Sequence, residues 1–326
     1  MPDLSTSYMG LNLKNPIIAA SSGLTKSTSK ILDCYNSGVG AIVMKSVFEE
    51  ALAQENFGIG DSTPYHAEAY DYLRSELELQ YGPREYLETI SEAKSKIDIP
   101  IIASINCVSS KWWPQYAKQF QDAGADALEL NVFKSATSIA EDSHSLENMY
   151  YEIIENVKKH VSIPVALKIG VNITALPHFV AQLARKGANG VVLFNRFTEP
   201  DIDINNLSLK TTFSFSTAFD LYKPLRWTAV LADQVGCDLC ATTGVKSAKD
   251  VIKLLLAGAS SVQIASLLYQ KGIDQVDELL KELTGWMTTH NFESIDDFKG
   301  KLSFKNTKSP DTYLRAQFME KIRGVE

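Results

Sequence analysis

Short apolar runs rich in β-branched residues alternate with amphipathic stretches along most of the chain. The apolar runs predict eight strands, at residues 16–20, 41–45, 100–105, 127–131, 164–168, 190–194, 238–242 and 261–264. The stretches between them have helical periodicity and predict helices near 26–37, 84–96, 114–123, 146–160, 176–186, 223–235, 248–257 and 275–284. Eight strands alternating with eight helices predict an α/β fold of the (β/α)₈ barrel type.

A glycine-led phrase recurs ahead of several predicted strands. Gly-Ala-Asp-Ala-Leu-Glu-Leu begins at residue 124, and similar phrases begin at 38, 187 and 258. Each glycine would end a helix and lead into the next parallel strand. A doubly wound open sheet is the alternative, but eight units without a Gly-x-Gly-x-x-Gly fingerprint favour the barrel. We expect residues 1–326 to form one barrel domain, with 289–326 as a carboxyl-terminal extension packed on it.

Composition excludes several classes of partner. The formal charge of −7 over 326 residues, with no basic stripe, argues against nucleic acid. No apolar run approaches the roughly 18 residues of a spanning helix, and the first residues have no targeting pattern, so we expect a cytoplasmic protein away from membranes. On a strand, Cys237 and Cys240 would point to opposite faces, which favours buried reduced thiols over a metal or disulfide. The histidines have no metal-ligand spacing, so we predict no metal.

The last two strand-to-helix turns are the most informative part of the sequence. Leu239-Cys240-Ala241-Thr242-Thr243-Gly244-Val245 predicts a strand and a tight glycine turn before a helix, and Ala265-Ser266 follows the next strand. Two adjacent turns of this kind offer free backbone N–H groups to a dianionic phosphate. The pattern predicts a bound phosphorylated cofactor.

Three long connections, 46–82, 132–145 and 195–222, would leave the carboxyl ends of strands. That face carries the active sites of barrel enzymes, so the long connections suggest a lid over a small substrate. Polar residues cluster at the same strand ends: Ser21, Ser22, Lys45, Ser46, Asn106, Asn131, Lys168, Asn195, Arg196, Thr243 and Ser266. Among them Lys168 is the most telling, because an ammonium inside a barrel mouth must neutralise an anion or lose its proton.

These motifs resemble the dihydroorotate dehydrogenase family of FMN-dependent (β/α)₈ flavoproteins, over roughly residues 4 to 285. The best motif is Ala241-Thr242-Thr243-Gly244-Val245, followed by Ser247, Val251 and Gly258-Ala259. Further matches are Ala41-Ile42-Val43-Met44-Lys45-Ser46, Leu130-Asn131, Leu167-Lys168, Asn195 and Lys223-Pro224. The chain is similar to the soluble class 1 branch, because no membrane-binding helices precede Leu11-Asn12-Leu13-Lys14-Asn15-Pro16.

The resemblance implies FMN as cofactor and a role for each matching residue. Ala20, Ser21, Lys45 and Ser46 would line the isoalloxazine ring, with Lys45 near the stacked substrate. Asn131 and Asn195 would hydrogen-bond flavin and substrate, and Arg196 would lie with the substrate groups. Lys168 would face N1 and O2 of the ring and stabilise the anionic reduced flavin. Thr243, Gly244, Ala265 and Ser266 would hold the phosphate.

The chain departs from the family pattern where substrate would bind. The family's Asn-x-Ser-Cys-Pro-Asn loop, whose cysteine is the class 1 base, is here Asn131-Val132-Phe133-Lys134-Ser135-Ala136. Lys134 occupies the cysteine position and Ser135 follows it, so both are candidate bases. Tyr65-His66-Ala67-Glu68-Ala69-Tyr70 replaces an asparagine-bearing loop, and His66 is more simply a loop residue than an acid or base. Ser214-Phe215-Ser216-Thr217-Ala218 replaces a glycine-rich phosphate segment.

Three hypotheses follow from the sequence. The first is an FMN-dependent CH–CH oxidoreductase that oxidises dihydroorotate, or a related small carbonyl compound, in pyrimidine biosynthesis. The second is a Schiff-base aldolase that uses Lys168 on a phosphorylated substrate. The third is a barrel that binds FMN without turnover. We expect a homodimer. The electron acceptor stays open between fumarate, NAD through an iron–sulfur partner subunit, and another acceptor.

Overall fold

The computed structural model describes residues 1–48, 83–107, 113–196, 200–211 and 214–314. Its strands are β1 (Thr6–Tyr8), β2 (Leu11–Leu13), β3 (Ile17–Ala19), β4 (Ala41–Val43), β5 (Val47–Phe48), β6 (Ile101–Cys107), β7 (Ala127–Val132), β8 (Val165–Ile169), β9 (Gly190–Leu193), β10 (Pro200–Asp203), β11 (Ser208–Thr211), β12 (Asp238–Thr242) and β13 (Ser261–Ile264). Its helices are α1 (Thr28–Asn36), α2 (Pro83–Lys94), α3 (Trp113–Asp122), α4 (Ser143–Lys158), α5 (Leu176–Arg185), α6 (Tyr222–Leu231), α7 (Ala248–Ala257), α8 (Ser266–Lys271) and α9 (Gln275–Thr289).

Eight parallel strands close into a barrel. Their order is β3, β4, β6, β7, β8, β9, β12 and β13, and pairing of β13 with β3 completes the ring. The two-residue strand β5 follows β4 in the chain and, like β4, pairs with β6. The predicted (β/α)₈ architecture is confirmed, and the eight barrel strands coincide with the eight apolar runs. All eight carboxyl ends therefore meet at one mouth.

A hairpin that the sequence analysis missed closes the opposite end of the barrel. Strands β1 and β2 pair in antiparallel fashion, and Tyr8 and Met9 at their turn belong to the apolar cluster of the barrel interior. Gly190 permits this approach, since a Cβ there would lie 3.1 Å from the Tyr8 hydroxyl oxygen. Met9 N donates to Asp238 Oδ2 at 2.6 Å, which ties the hairpin to the first residue of β12.

The larger apolar core lies between the strands and the surrounding helices. Leu167 of β8 and Leu130 of β7 face this layer, together with helix residues such as Phe120 and Phe179. Beyond α9 the chain runs back over α6 and α7. Gly300 N and Leu302 N donate to Leu255 O and Leu256 O at 2.9 and 2.8 Å. The side chain of Phe298 is fully buried in the same region.

The connection after β9 carries a second hairpin that the sequence analysis also missed. Strands β10 and β11 pair with Ile202 opposite Leu209. Both side chains are exposed, as are Ile204 and Leu207 in the turn. Apolar residues here lie on the surface, so their pattern did not resemble that of a buried strand.

Helix boundaries differ from prediction where turn geometry intervenes. Helix α6 ends at Leu231 rather than near 235, because the backbone of Ala232 is no longer helical and Asp233 adopts a left-handed φ of 64°. Asp233 then accepts hydrogen bonds from Ser303 and Asn306. Helix α9 runs on to Thr289, and α8 is an unpredicted short helix directly after β13. Among the described helices, none has the length and apolarity to span a membrane.

Candidate functional site at the barrel mouth

Lys168 occupies the centre of the candidate site. Alternate residues of β8 share a face, so Ala166 and Lys168 both point into the barrel while Leu167 packs outward. The Lys168 ammonium donates to Gln263 Oε1 at 3.2 Å and lies 3.7 Å from Glu129 Oε1. Its side chain is 11% exposed, so the charge is nearly enclosed but still reaches the mouth.

Gln263 and Glu129 extend inward from opposite walls of the barrel. Gln263 Nε2 donates to Glu129 Oε2, so carboxylate, amide and ammonium form a closed ring of polar contacts. Gln263 is fully buried and Glu129 is 1% exposed. Neither residue was among those predicted from the sequence. The available signal was their alternation with apolar residues on β7 and β13, which places them on the interior face.

Three serines join the ends of neighbouring strands. Ser21 Oγ accepts from Ser46 N at 2.9 Å and lies 3.0 Å from Ser46 Oγ. Ser46 Oγ lies 2.8 Å from Ser104 Oγ. Ser104 N in turn donates to the hydroxyl of Tyr86 at 2.8 Å. Ser21 and Ser46 were predicted at the rim, whereas on β6 the predicted residue was Asn106 and not Ser104.

Two asparagines meet across the mouth, on either side of β8. Asn195 Nδ2 donates to Asn131 Oδ1 at 2.7 Å, and both residues are half-buried. Asn131 is the register partner of Lys168 on the neighbouring strand. The structure thus brings together three of the predicted site residues.

The turns after β12 and β13 lie beside the loop that precedes α6. Thr243 and Gly244 have left-handed φ values of 81° and 82°. A Cβ at Gly244 would lie 2.2 Å from the backbone nitrogen of Leu221, so only glycine fits this approach. Ser216 N donates to Ser266 Oγ at 3.3 Å. The predicted phosphate site, at the turns of Thr243-Gly244 and Ala265-Ser266, therefore includes a third loop, through Ser216. We call these three loops the phosphate cradle.

A partly buried cation lies next to this cradle and was not predicted. Lys246 follows Gly244 by two residues, and its ammonium donates to Gln270 Oε1 at 2.8 Å. Burial lowers the Lys246 pKa, the nearby Asp220 carboxylate raises it, and the Arg196 guanidinium lowers it. Nothing in its local sequence distinguished Lys246 from a surface lysine.

Residues that follow the barrel strands β3 and β4 also lie at the rim. Ala20 is buried, and its N–H donates to Ile264 O at 2.9 Å, which links the ends of β3 and β13. Lys45 is half-buried, and its backbone N–H donates to Thr25 O at 3.2 Å. Ala265, directly before Ser266, is likewise half-buried.

The loop after β7 does not direct its candidate bases, Lys134 and Ser135, into the mouth. The Lys134 ammonium pairs with Glu141 Oε1 at 2.5 Å, and its side chain is 43% exposed. That hydrogen bond is the largest cause of a lowered Glu141 pKa. Ser135 is exposed. Arg196 donates to Ser214 O and Oγ, within the connection after β9. Residues 65–70, with His66, lie outside the described residues.

Cys34, Cys237 and Cys240 have free thiols. Burial raises the pKa of Cys34, Cys237 and Cys240 to about 12. Cys240 faces the barrel interior while Cys237 packs against the outer core, so the predicted opposite orientation is confirmed. No group of three or more His, Cys, Asp or Glu side chains in the described part of the chain could hold a metal ion.

A surface cleft of about 420 Å³, lined by residues including Leu24, Asp33 and Ile273, lies between α1 and the segment after α8. None of the candidate site residues lines it. We therefore place the functional site at the barrel mouth, where the strand ends bring the polar groups together.

Comparison with known proteins gives a consistent result. The chain is 28% identical to the catalytic subunit of dihydroorotate dehydrogenase B (NAD(+)) from Thermoplasma acidophilum over 305 residues, 92% of this chain and 99% of that protein. It is 28% identical to the protein of the same name from Oceanobacillus iheyensis over 305 residues, 90% of this chain and 97% of that protein. With the Methanocaldococcus jannaschii protein of that name it shares 26% identity over 306 residues, 88% of this chain and 94% of that protein. The family model for dihydroorotate dehydrogenase matches residues 3–287, so this chain belongs to the dihydroorotate dehydrogenase family.

Proposed function

We propose that this protein is an FMN-dependent dehydrogenase that oxidises dihydroorotate to orotate in pyrimidine biosynthesis. The observation that carries the proposal is the Lys168 ammonium, fixed inside the barrel mouth by Gln263 and Glu129. A fixed, nearly enclosed cation stabilises negative charge that develops next to it, with little reorganisation during the reaction. Family membership supplies the reaction class.

The residues present fit FMN. Gly244 lets the segment before α6 approach the turn after β12, and Ser216 N donates to Ser266 Oγ, which leaves the Ser266 hydroxyl to donate to a bound group. Such donors suit a phosphate dianion, and Lys246 adds a cation beside them. Ala20, Ser21, Lys45 and Ser46 line the part of the rim nearest β3 and β4, where a planar ring would lie. Thr243 Oγ1 donates to Phe194 O at 3.2 Å and orients its turn.

When bound, the flavin would accept a hydride from the substrate. The Lys168 ammonium would stabilise the negative charge that the transfer leaves on the cofactor. Asn131 and Asn195 hold each other through one amide hydrogen bond, which leaves Asn131 Nδ2 and Asn195 Oδ1 to orient bound groups. Lys45 and Arg196 are the remaining cations that we assign to the anionic substrate.

Oxidation of a CH–CH bond also requires a base that removes a proton. We propose Ser135 or Lys134 for this role, since both lie on the loop after β7. In the conformation described here Lys134 is paired with Glu141 and Ser135 is exposed. The loop must therefore bring one of them over the mouth when substrate binds. If neither does so, the third hypothesis, an FMN-binding barrel without turnover, applies.

The geometry favours flavin chemistry over a Schiff base. An aldolase lysine must react as the neutral amine. Lys168 instead lies 3.7 Å from a buried carboxylate, for which its ammonium is the countercharge in contact. Borohydride treatment with a phosphorylated ketone tests this alternative directly, because only a Schiff base would give a stable adduct at Lys168.

Partners and location follow from the proposal. We propose a homodimer in the cytoplasm, with a small-molecule substrate and no nucleic-acid or membrane partner. The relatives named above are catalytic subunits of an NAD(+) enzyme. We therefore propose a second, electron-transferring subunit as one route for reoxidation and fumarate as the other. Sedimentation of the purified chain and reoxidation assays with each acceptor distinguish these possibilities.

The decisive experiment uses the purified protein. We expect a yellow protein whose bound flavin is identified as FMN by mass spectrometry. Under anaerobic conditions dihydroorotate should bleach the flavin absorbance in a stopped-flow instrument, with orotate as product. A flavin that dithionite reduces but dihydroorotate does not would leave FMN binding intact and refute the proposed substrate. A colourless protein that takes up no FMN would refute the proposal as a whole.

A further inference from the structure

The ring formed by Glu129, Gln263 and Lys168 spans the barrel from one wall to the other. In the closed order of strands, β7 and β13 lie on opposite sides, and β8 is the neighbour of β7. Lys168 Nζ contacts Gln263 Oε1 at 3.2 Å and Glu129 Oε1 at 3.7 Å, and Gln263 Nε2 donates to Glu129 Oε2. These contacts fix the orientation of the Gln263 amide, because its oxygen must accept from the Lys168 ammonium and its NH₂ must donate to the Glu129 carboxylate.

This ring lies above an apolar floor. Tyr8, Ile18, Ile102 and Val192 belong to the interior cluster on the hairpin side of the ring. A carboxylate this deeply buried is stable only when paired, and the ammonium is the cation in contact with it. Glu129 Oε1 has no hydrogen bond within the described residues, so its contact with Lys168 is purely electrostatic. The Glu129 carboxylate is therefore paired with the Lys168 ammonium, rather than with a second polar group on the hairpin side of the ring.

We propose that Glu129 and Gln263 are positioning residues that keep Lys168 protonated and fix the height of its ammonium at the barrel mouth. Glu129 supplies the negative charge that retains the proton, and Gln263 supplies the directional contact. Neither residue reaches the reacting atoms. This inference rests on the proposed function only for its effect on flavin reduction, since the protonation of Lys168 is measurable without cofactor.

Within the described part of the chain, the titratable groups that interact with the ring include Cys240 and Tyr8. Glu129 on β7 faces Lys168 directly. Cys240 on β12 feels both charges, and burial raises its pKa to about 12. Burial also raises the Tyr8 pKa well above its usual value. Both of these groups are neutral near pH 7, so Glu129 is the anion that decides the Lys168 charge.

The first test measures Lys168 in the apoprotein. The Lys168 side chain is followed by ¹³C NMR of its ε-carbon, assigned with Lys168→Met, as the pH is raised. In Glu129→Gln we expect the ammonium to titrate lower by about one pH unit or more, a tenfold change in its acid–base equilibrium. Glu129→Asp should recover part of the shift. An unchanged Lys168 titration in Glu129→Gln would overturn the proposal.

Asp238→Asn is the matched control. It removes the same charge from a carboxylate at the floor end of β12, where Asp238 accepts from Met9 N and Ser260 Oγ. The variant should leave the Lys168 titration unchanged. An equal shift in Asp238→Asn would indicate a general charge effect and would also overturn the specific role of Glu129.

The second test measures reduction of the FMN-loaded protein by dihydroorotate. We expect the rate of reduction in Glu129→Gln to fall about tenfold below that of the unaltered protein once the pH is raised through the lowered Lys168 titration, and the ratio of the two rates should return towards one at lower pH, where Lys168 keeps its proton. Gln263→Leu should slow reduction without recovery at low pH, because it removes the positioning contact but keeps both charges. If the reduction rate fell by the same factor at every pH in both variants, the role of Glu129 and Gln263 would be merely structural. If the unaltered protein is not reduced at all, the proposed substrate fails, while the apoprotein titration still decides this inference.

Discussion

Asn195 donates its side-chain amide to Asn131 Oδ1 at 2.7 Å, so the ends of β9 and β7 are joined across the strand that carries Lys168. Each asparagine thereby fixes the orientation of the other. Removal of either would leave its partner free to rotate away from the substrate position. We therefore expect the pair to act as one unit in orienting bound groups.

Replacement of this pair should give strongly non-additive kinetics. We expect Asn131→Ala and Asn195→Ala each to lower kcat/KM for dihydroorotate by about 10- to 100-fold, because each removes a hydrogen bond worth roughly 1–3 kcal/mol and misorients its partner. The double variant should be little worse than either single one. Asn189→Ala is the control, since Asn189 accepts from Val165 N at the opposite end of the barrel. Fully additive losses of kcat/KM in the double variant would show that Asn131 and Asn195 act independently.

Removal of the central cation should separate stability from activity. Lys168→Met leaves Glu129 buried without a countercharge, and we expect the free energy of unfolding to fall by about 3–5 kcal/mol. Lys168→Met combined with Glu129→Gln removes both charges and should recover most of that loss in urea denaturation. Flavin reduction by dihydroorotate should remain about 100-fold slower or worse in both variants. Recovery of reduction in the double variant would show that the ammonium itself is dispensable.

The phosphate cradle predicts an asymmetric response to two glycine substitutions. Gly244→Ala would place a Cβ 2.2 Å from Leu221 N at a left-handed φ, so the turn must shift and we expect FMN affinity to fall at least about tenfold. Gly236→Ala is the matched control, because nothing lies within 4 Å of its Cβ position and its φ is ordinary. Fluorescence titration of the apoproteins with FMN measures both. Equal FMN affinities of the two variants would show that the phosphate does not bind at the turn of Gly244.

The barrel was predictable because its signals are local. Each strand is a short apolar run, and glycines such as Gly187 and Gly258 adopt positive φ at helix ends, as the recurring phrase predicted. The cradle turns were predictable for the same reason. By contrast, Gln263 and Glu129 meet over a separation of 134 residues, and only the closed ring of strands brings them together. Local patterns carry no information on such a pairing.

The hairpins escaped prediction for a different reason. Sequence periodicity identifies apolar residues that become buried. In β10 and β11, Ile202 and Leu209 are 63% and 79% exposed, so the apolar face does not belong to the core. In β1 and β2 the strands are only three residues long, which is too short for a periodic signal. The loop after β7 escaped full prediction for yet another reason, since its sequence indicates Lys134 and Ser135 as candidate bases but not the direction in which either side chain points.

The candidate bases can be separated by single substitutions. We expect Ser135→Ala to slow reduction of bound FMN by dihydroorotate about 100-fold or more, within the range that general base catalysis contributes. Lys134→Ala should have the smaller effect, because the Lys134 ammonium is ion-paired with Glu141 and must lose both partner and proton to act. Reduction by dithionite is the control for each variant, as it requires no base. The reverse order of effects would assign the base to Lys134.

The buried thiols predict a loss of stability in alkali. Burial raises the pKa of Cys240 from 9.0 to about 12, so between those values the unfolded chain releases a proton that the folded chain retains. The folded state then binds more protons, and the free energy of unfolding must fall as pH rises through this interval. The expected fall is about 1.4 kcal/mol per pH unit above 9 for one thiol. Urea denaturation at pH 8, 9 and 10 measures the slope, and Cys240→Ala should reduce it by that amount, whereas a slope equal to that of the unaltered protein would show that the Cys240 thiol ionises as readily in the barrel as in water.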